Sequence, residues 1–385
     1  MKDSSAQPAR QPFAPNIYYR LCLFLLLFIA TAASFNGYYA KWRFLDGAPG
    51  NGFSGMVDGT ANRPFVYRQL LPAIANWVDH KTPDQLKDRA FSARNRTGEL
   101  VRERLFSAPL ALSRTYFLRY WVVYGSVLLF AWLATWSMYR LCRHLGYETR
   151  TAAAAATIVM LLMPYLLSGG GYLYDYPELA FFVIAVWMAL KLDWWWMIPV
   201  AALATWNKES FLLFIPTLYP LLRQRGSAIK SIIGTAALAA TCLAVYLPIR
   251  ARFQHNPGGT VQFHLWDQIH FVLHPATWFL PEKTYGIVLF QSLNPLTVAL
   301  IAWTACRGWR SLSKPIQRHA QIAAAINIPL FILCCDPGEL RDLSFLYVPF
   351  LLLLAANLAG WPADRRPATI KSDEELERRQ ATVST

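Results

Sequence analysis

Two runs of this sequence set ionisable side chains against apolar surroundings: Asn207-Lys208-Glu209-Ser210 and Glu339-Leu-Arg341-Asp342. Charge beside or within an apolar segment of membrane depth is costly, so it more often marks a working site than decoration. Asp175 and Glu178 stand three apart, on one side of a helix, in Tyr174-Asp175-Tyr-Pro-Glu178. A long polar gap near the N-terminus adds Asp46, Asp58, Arg63 and Arg68. A carboxylate takes a proton from a hydroxyl as a general base. Arginine grips a phosphate through two parallel bonds, and lysine neutralises it as a point charge. Acid, base and anion clamp are therefore all present. Each residue alone also fits a structural role. Asp175 and Asp336 sit where a helix N-cap would, with Pro177 and Pro337 in the first turn.

The elements that must position these residues are membrane spans. The 385 residues are 55% hydrophobic and only 16% charged, well to the apolar side of a soluble domain. Aromatic content is 15%, as expected where Trp and Tyr line a membrane–water interface. Crossing a bilayer as a helix takes about 17–25 residues. Apolar runs of roughly that kind are read at Ile17–Phe35, Tyr116–Tyr139, Thr151–Leu167, Tyr172–Leu190, Trp194–Trp206, Phe211–Leu222, Ser231–Leu247, Tyr285–Cys306, Gln321–Cys335 and Leu343–Leu358. The fold class this predicts is all-α, a polytopic integral membrane protein of about ten transmembrane helices. The fifth and sixth runs are short, and they are read as two arms of a hairpin with Lys208 and Glu209 at its apex.

Loop charge orients the chain. Arg140 and Arg143, Lys191, Arg223 and Arg225, then Arg307, Arg310, Lys314 and Arg318 fall in alternate gaps. The positive-inside rule places those gaps, and both termini, in the cytoplasm. The expected organisation is a cytoplasmic tail over 1–16, a transmembrane domain over 17–360 and a cytoplasmic tail over 361–385. The first outer loop, about 36–115, carries surface helices. Tyr67–His80 spaces Leu70, Leu71, Ile74 and Val78 on one face, as a helix lying in the interface does, and Thr97–Leu110 is a second such segment. Acids and the Lys208-Glu209 apex then share the outer side.

Other chemistries find no support. The net charge of +14 is explained by basic loops against anionic lipid, so the bilayer is the expected partner and nucleic acid is not. No P-loop, no G-x-S-x-G, no H-E-x-x-H and no G-x-G-x-x-G occurs. His255, His264, His270 and His274 share one outer gap, but at spacings unlike a zinc set. The six cysteines include no C-x-x-C pair and read as small buried hydrophobes. No metal site is assigned.

Moving a sugar from a lipid phosphate to an acceptor hydroxyl uses what is present. Asp58 or Asp46 would be the base, with Asp58 favoured because Arg63 and Arg68 follow it closely. Arg63, Arg68, Lys208 or Arg341 would hold phosphate. Asp175, Glu178, Glu209, Glu339 and Asp342 complete the candidate site. Tyr172, Tyr174, Tyr176 and Trp206 either stack on a sugar ring or mark the interface.

The layout resembles the GT-C superfamily of polytopic glycosyltransferases. The strings that carry the likeness are Asp58-Gly-Thr-Ala-Asn-Arg63-Pro-Phe-Val-Tyr-Arg68, Tyr174-Asp175-Tyr-Pro-Glu178, Asn207-Lys208-Glu209 and Glu339-Leu-Arg341-Asp342. The resemblance implies a polyprenyl-phosphate sugar donor and an acidic catalytic residue in the first outer loop. It also implies a glycan, lipid or protein acceptor on the outer face of a bacterial inner membrane. The sequence departs from well-known branches in lacking an Asp-Asp or Asp-Glu pair in that loop, which leaves open which aspartate acts and whether a divalent metal takes part. Two other classes are weighed against it. A transporter or flippase of a lipid-linked or small anionic substrate should show repeated halves, and no repeat is found. A non-catalytic envelope-assembly protein should tolerate loss of Asp58 and Lys208. For the orientation, a reporter fused after Arg318 is expected on the cytoplasmic side, and its appearance outside would reverse the whole assignment.

Overall fold

The computed structural model describes residues 17–94, 108–259 and 261–360. Both expected tails, 1–16 and 361–385, and most of the expected surface segment Thr97–Leu110 lie outside those residues. Twelve helices of eight or more residues make up most of the described chain. They are α1 (Ile17–Trp42), α2 (Leu70–Lys81), α3 (Asp84–Arg94), α4 (Phe117–His144), α5 (Thr149–Leu166) and α6 (Asp175–Lys191). Then follow α7 (Ile198–Asn207), α8 (Ala228–Arg252), α9 (Leu265–Leu273), α10 (Pro295–Gly308), α11 (Lys314–Cys334) and α12 (Tyr347–Ala359).

Packing follows from spacing. On α4 the buried residues Tyr120, Val123, Val127, Ala131, Ala134, Met138 and Leu141 recur every three or four positions, one stripe of a helix. Small residues let neighbours approach closely: Ala152, Ala155, Ala156 and Val159 of α5 are buried, and α1, α4 and α12 pack on that helix. Hydroxyls bridge the remaining gaps. Thr31 of α1 and Thr135 of α4 meet at 2.8 Å, and Ser34 of α1 meets Tyr176 of α6 at 2.7 Å. Five segments are long and apolar enough to cross a membrane: Ile17–Leu45, Phe117–His144, Thr149–Leu166, Ala228–Arg252 and Leu340–Ala359. Leu21, Phe24, Leu25 and Phe28 on α1 stay exposed, as lipid-facing side chains do. The chain is thus an all-α protein of membrane-spanning character.

The short hairpin is present. A turn of 3-10 helix (Trp194–Met197) leads into α7, the helix stops where Lys208 turns extended (φ −156°, ψ 128°), and helical turns resume over Phe211–Leu222. The arms return to one end, where Trp194, Trp195, Leu222 and Arg223 line a common cleft.

Two expectations change. Tyr285–Cys306 does not begin as a span. Pro281–Thr284 (β1) and Ile287–Phe290 (β2) pair antiparallel across Tyr285-Gly286, both with positive φ, the backbone of a two-residue hairpin turn. The helix starts only at Pro295, because Asn294 caps it by accepting the Thr297 N–H at 3.0 Å. Asp175 is not an N-cap either. Tyr174 holds that position, and the Asp175 carboxylate instead accepts the Tyr172 N–H at 2.7 Å.

Behind the hairpin apex, Phe182 is fully buried with ring centroids 4.3 Å from Phe214 and 5.5 Å from Phe345. Phe182→Ala removes these ring contacts and opens a cavity in the core, and thermal unfolding in detergent should report a loss of about 3–5 kcal/mol.

Candidate functional site

Four separated segments bring charge to one place. Arg68 follows a 3-10 turn (Phe65–Tyr67), and the adjacent Gln69 N–H donates to the Trp206 carbonyl at 3.0 Å, fixing that loop beside the hairpin apex. Asp175 and Glu178 come from the first turn of α6. Lys208 and Glu209 come from the break between α7 and Phe211. Glu339, Arg341 and Asp342 come from the bend after α11 and the 3-10 segment Leu340–Leu346 that follows it. Arg68, Lys208, Glu209, Glu339, Arg341 and Asp342 line a cavity of about 320 Å³. Asp175 and Glu178 stand behind its wall.

Each cation meets a carboxylate. Lys208 Nζ lies 2.8 Å from Glu178 Oε2, with side chains only 11% and 6% exposed. Ser210 and Ser344 hydroxyls donate to the other Glu178 oxygen at 3.0 and 3.1 Å. Arg68 reaches Glu209 through Nη2 at 3.1 Å, and its Nη1 donates to the Tyr174 hydroxyl. Arg341 Nε donates to Glu339 at 2.9 Å and lies 3.9 Å from Asp342. Arg341 Nη1 is buried and has no hydrogen-bond partner among the described residues. Gly169, with φ of 71°, admits Glu339: a Cβ there would collide with the carboxylate.

The rings form a wall. Tyr172 and Tyr174 stack at 5.0 Å and 10°, and Phe65 continues the stack at 5.2 Å from Tyr172. Guanidinium carbons sit over their faces, Arg68 4.2 Å from the Tyr174 centroid and Arg341 4.5 Å from that of Tyr172. Tyr172, Tyr174 and Tyr176 are all buried. The faces of Tyr172 and Tyr174 are taken up by each other, by Phe65 and by cations, and Tyr176 packs against Phe35 and Tyr38.

Electrostatics separates the acids. Burial pushes the Glu339 carboxyl up to about 8, with Arg341 pulling it down and Asp342 adding to the rise. Burial also pushes Glu209 up, but Arg68 outweighs it and the net direction is down. These two acids of the cavity are thus pushed in opposite directions.

Three expected site residues lie elsewhere. Asp58 was expected to act as the base beside Arg63 and Arg68. Instead it accepts from Tyr116 and pairs with Arg119 at 3.0 Å, its side chain 35% exposed. It does not line the cavity, because the short helix Phe53–Asp58 ends at Gly59 and carries the carboxylate towards the start of α4. Asp46 accepts the Leu110 N–H at 2.8 Å, capping the turn Pro109–Leu112; burial moves its carboxyl up and that bond moves it down. Arg63 donates to the Gly258 carbonyl and lines a different pocket. Asp336 is also not a cap: Glu339 precedes the helical turn, and Asp336 meets His264 at 3.5 Å.

Sequence reasoning missed Ser344 and Asn327, and it placed Ser210 in the charged run without a role. Asn327 was detectable as a polar residue within the apolar run Gln321–Cys335; it donates to the Asp342 carbonyl at 2.7 Å and accepts the Phe345 N–H at 3.0 Å. Among the described residues, no group of three His, Cys, Asp or Glu is placed to hold a metal ion. His270 and His274 stack on each other at 3.8 Å. No protein-family model, curated protein or solved structure matches this chain.

The Lys208–Glu178 pair is testable by a two-residue cycle. Glu178→Leu alone strands a buried ammonium and should cost about 3–5 kcal/mol in detergent unfolding. Adding Lys208→Met should recover most of that loss, and purely additive destabilisation would contradict the pairing.

Proposed function

We propose that this chain is a membrane glycosyltransferase of the GT-C type. It moves a sugar from a polyprenyl-phosphate-type donor to a hydroxyl of a glycan, lipid or protein acceptor. The observation that carries this reading is the convergence of Arg68, Lys208, Glu209, Glu339, Arg341 and Asp342 on one cavity. Paired carboxylates and guanidinium groups suit the hydroxyls of a sugar, which donate to the one and accept from the other. The cavity faces the extracytoplasmic side of a bacterial inner membrane. The chain crosses that membrane about ten times, counting the two short arms, with both termini in the cytoplasm.

Glu339 is the general base of this reading, in place of Asp58. It takes the acceptor's proton as the acceptor oxygen bonds to the anomeric carbon and the bond to the lipid phosphate breaks. The unpartnered Nη1 of Arg341 meets charge gathering on the departing phosphate, with Arg68 and Lys208 nearby. Asp46 and Asp58 hold the first loop in place.

The test is complementation of a deletion strain, read as surface glycan and lipid-linked sugar, followed by transfer assays on purified protein. Glu339→Gln should lower the transfer rate by about 10²–10⁴-fold while the protein stays inserted, and Asp58→Asn should retain most of it. Glu339 accepts a proton only after losing its own, so the wild-type rate should rise as pH passes through about 8. Unchanged glycans on deletion would end the transferase reading in favour of transport. Full activity in both Glu339→Gln and Lys208→Met would leave an assembly role.

A further inference from the structure

A second cavity, of about 540 Å³, is lined by Arg63, Tyr67, Leu247, Arg250, Gln254 and His255, together with Ala251. It contains two arginines and a histidine, and no carboxylate among its lining residues. Tyr67 is only 2% exposed, yet its hydroxyl has no hydrogen-bond partner among the described residues. The Nε of Arg63 is likewise buried and unpartnered. Buried donors without acceptors are uncommon in folded proteins, and both of these residues line a cavity whose charged side chains are cationic, which points to an anionic ligand.

The pocket is built from two distant segments. Arg63 N–H donates to the Pro257 carbonyl at 2.8 Å, and the Asn256 amide donates to the Gly59 and Ala61 carbonyls, both at 2.9 Å. These bonds dock the chain after α8 onto the first loop, so Arg63 and Arg250 face the same space without a surface lysine in the set.

The position of the pocket selects the ligand. Arg250 lies in the last turn of α8, the most apolar of the membrane-crossing segments (mean hydropathy 2.0) and the one least buried by the rest of the protein. Ile232, Leu243 and Leu247 leave an exposed apolar track along that helix, and Leu247 reaches the pocket itself. A headgroup held at the arginines would leave its hydrocarbon tail against this track. Tyr67 of the pocket meets Tyr246 of the charged cavity edge to face at 6.1 Å, so the two cavities are neighbours.

We infer that this pocket binds the phosphate head of a membrane amphiphile, with the hydrocarbon chain lying along α8. The site goes beyond the sugar-transfer reading and stands whether or not the chain moves a sugar.

The test is titration of the full-length protein, in a non-ionic detergent, with dodecyl phosphate and separately with inorganic phosphate. Saturable binding of dodecyl phosphate is expected, weakened about tenfold or more by Tyr67→Phe with Arg250→Ala. The charge-matched control Arg114→Ala, at the exposed pair with Asp88, should bind as wild type. Inorganic phosphate should bind at least tenfold more weakly. Unchanged affinity in the Tyr67→Phe/Arg250→Ala protein would overturn the site. Equal affinity for inorganic and dodecyl phosphate would overturn the amphiphile. If dodecyl phosphate still binds while Glu339→Gln leaves transfer intact, the base assignment fails and this site survives.

Discussion

A buried ammonium must replace the water it has lost, and in this chain Lys208 does so with Glu178. The bond joins the hairpin apex to the first turn of α6, and Ser344 on the Glu178 carboxylate brings in the segment before α12. Attraction at 2.8 Å is strong where water is excluded, and so is the penalty for leaving either partner alone. The hairpin arms are short and could not hold this geometry by their own length. Arg68 repeats the device from the first loop through Glu209. Apolar packing therefore sets which helices are neighbours, while ion pairs set the register at this end of the bundle.

The aromatic stack follows from the same constraint. Guanidinium groups buried this deeply need more than one carboxylate edge, and their flat faces suit a ring. Phe65, Tyr172 and Tyr174 supply it, with Arg68 and Arg341 laid over the tyrosines. Gly169 and Gly171 matter for reasons of space. A side chain on Gly169 would strike Glu339, and one on Gly171 would strike Trp42. The Gly169-Gly-Gly171 run is a place where other side chains come close.

Composition and apolar runs made the fold class legible, because backbone groups in lipid leave little choice but helix. The break at Lys208 was legible for a related reason: two charges interrupt an apolar run. What stayed hidden depended on short-range chemistry with long-range consequences. Asn294 moved a helix start by capping it, and the positive φ at Tyr285 and Gly286 turned an apolar run into a hairpin. The site divided similarly. Eight of the eleven expected residues gather because buried charges must find each other. Asp46, Asp58 and Arg63 do not, since nothing in their spacing said that Leu110, Arg119 and Gly258 would be their partners. Closeness in sequence to Arg68 was weak evidence, because a six-residue helix and a turn are enough to point Asp58 away.

The two neighbouring cavities differ in charge in a way that bears on what each accepts. The first is lined by Arg68, Lys208 and Arg341 against Glu209, Asp336, Glu339 and Asp342. Burial pushes the Glu339 carboxyl up to about 8 while Arg341 pulls it down, so three cations face four acids of unequal strength. Such a mixed set offers both donors and acceptors to a ligand rich in hydroxyls, and the unpartnered Nη1 of Arg341 is left for a phosphate oxygen. The second is lined by Arg63 and Arg250 without a carboxylate and favours the anion outright. A sugar and a lipid phosphate differ in the same sense, one neutral and polyhydroxylic, the other charged and attached to hydrocarbon. The Tyr67–Tyr246 contact is where the two cavities adjoin.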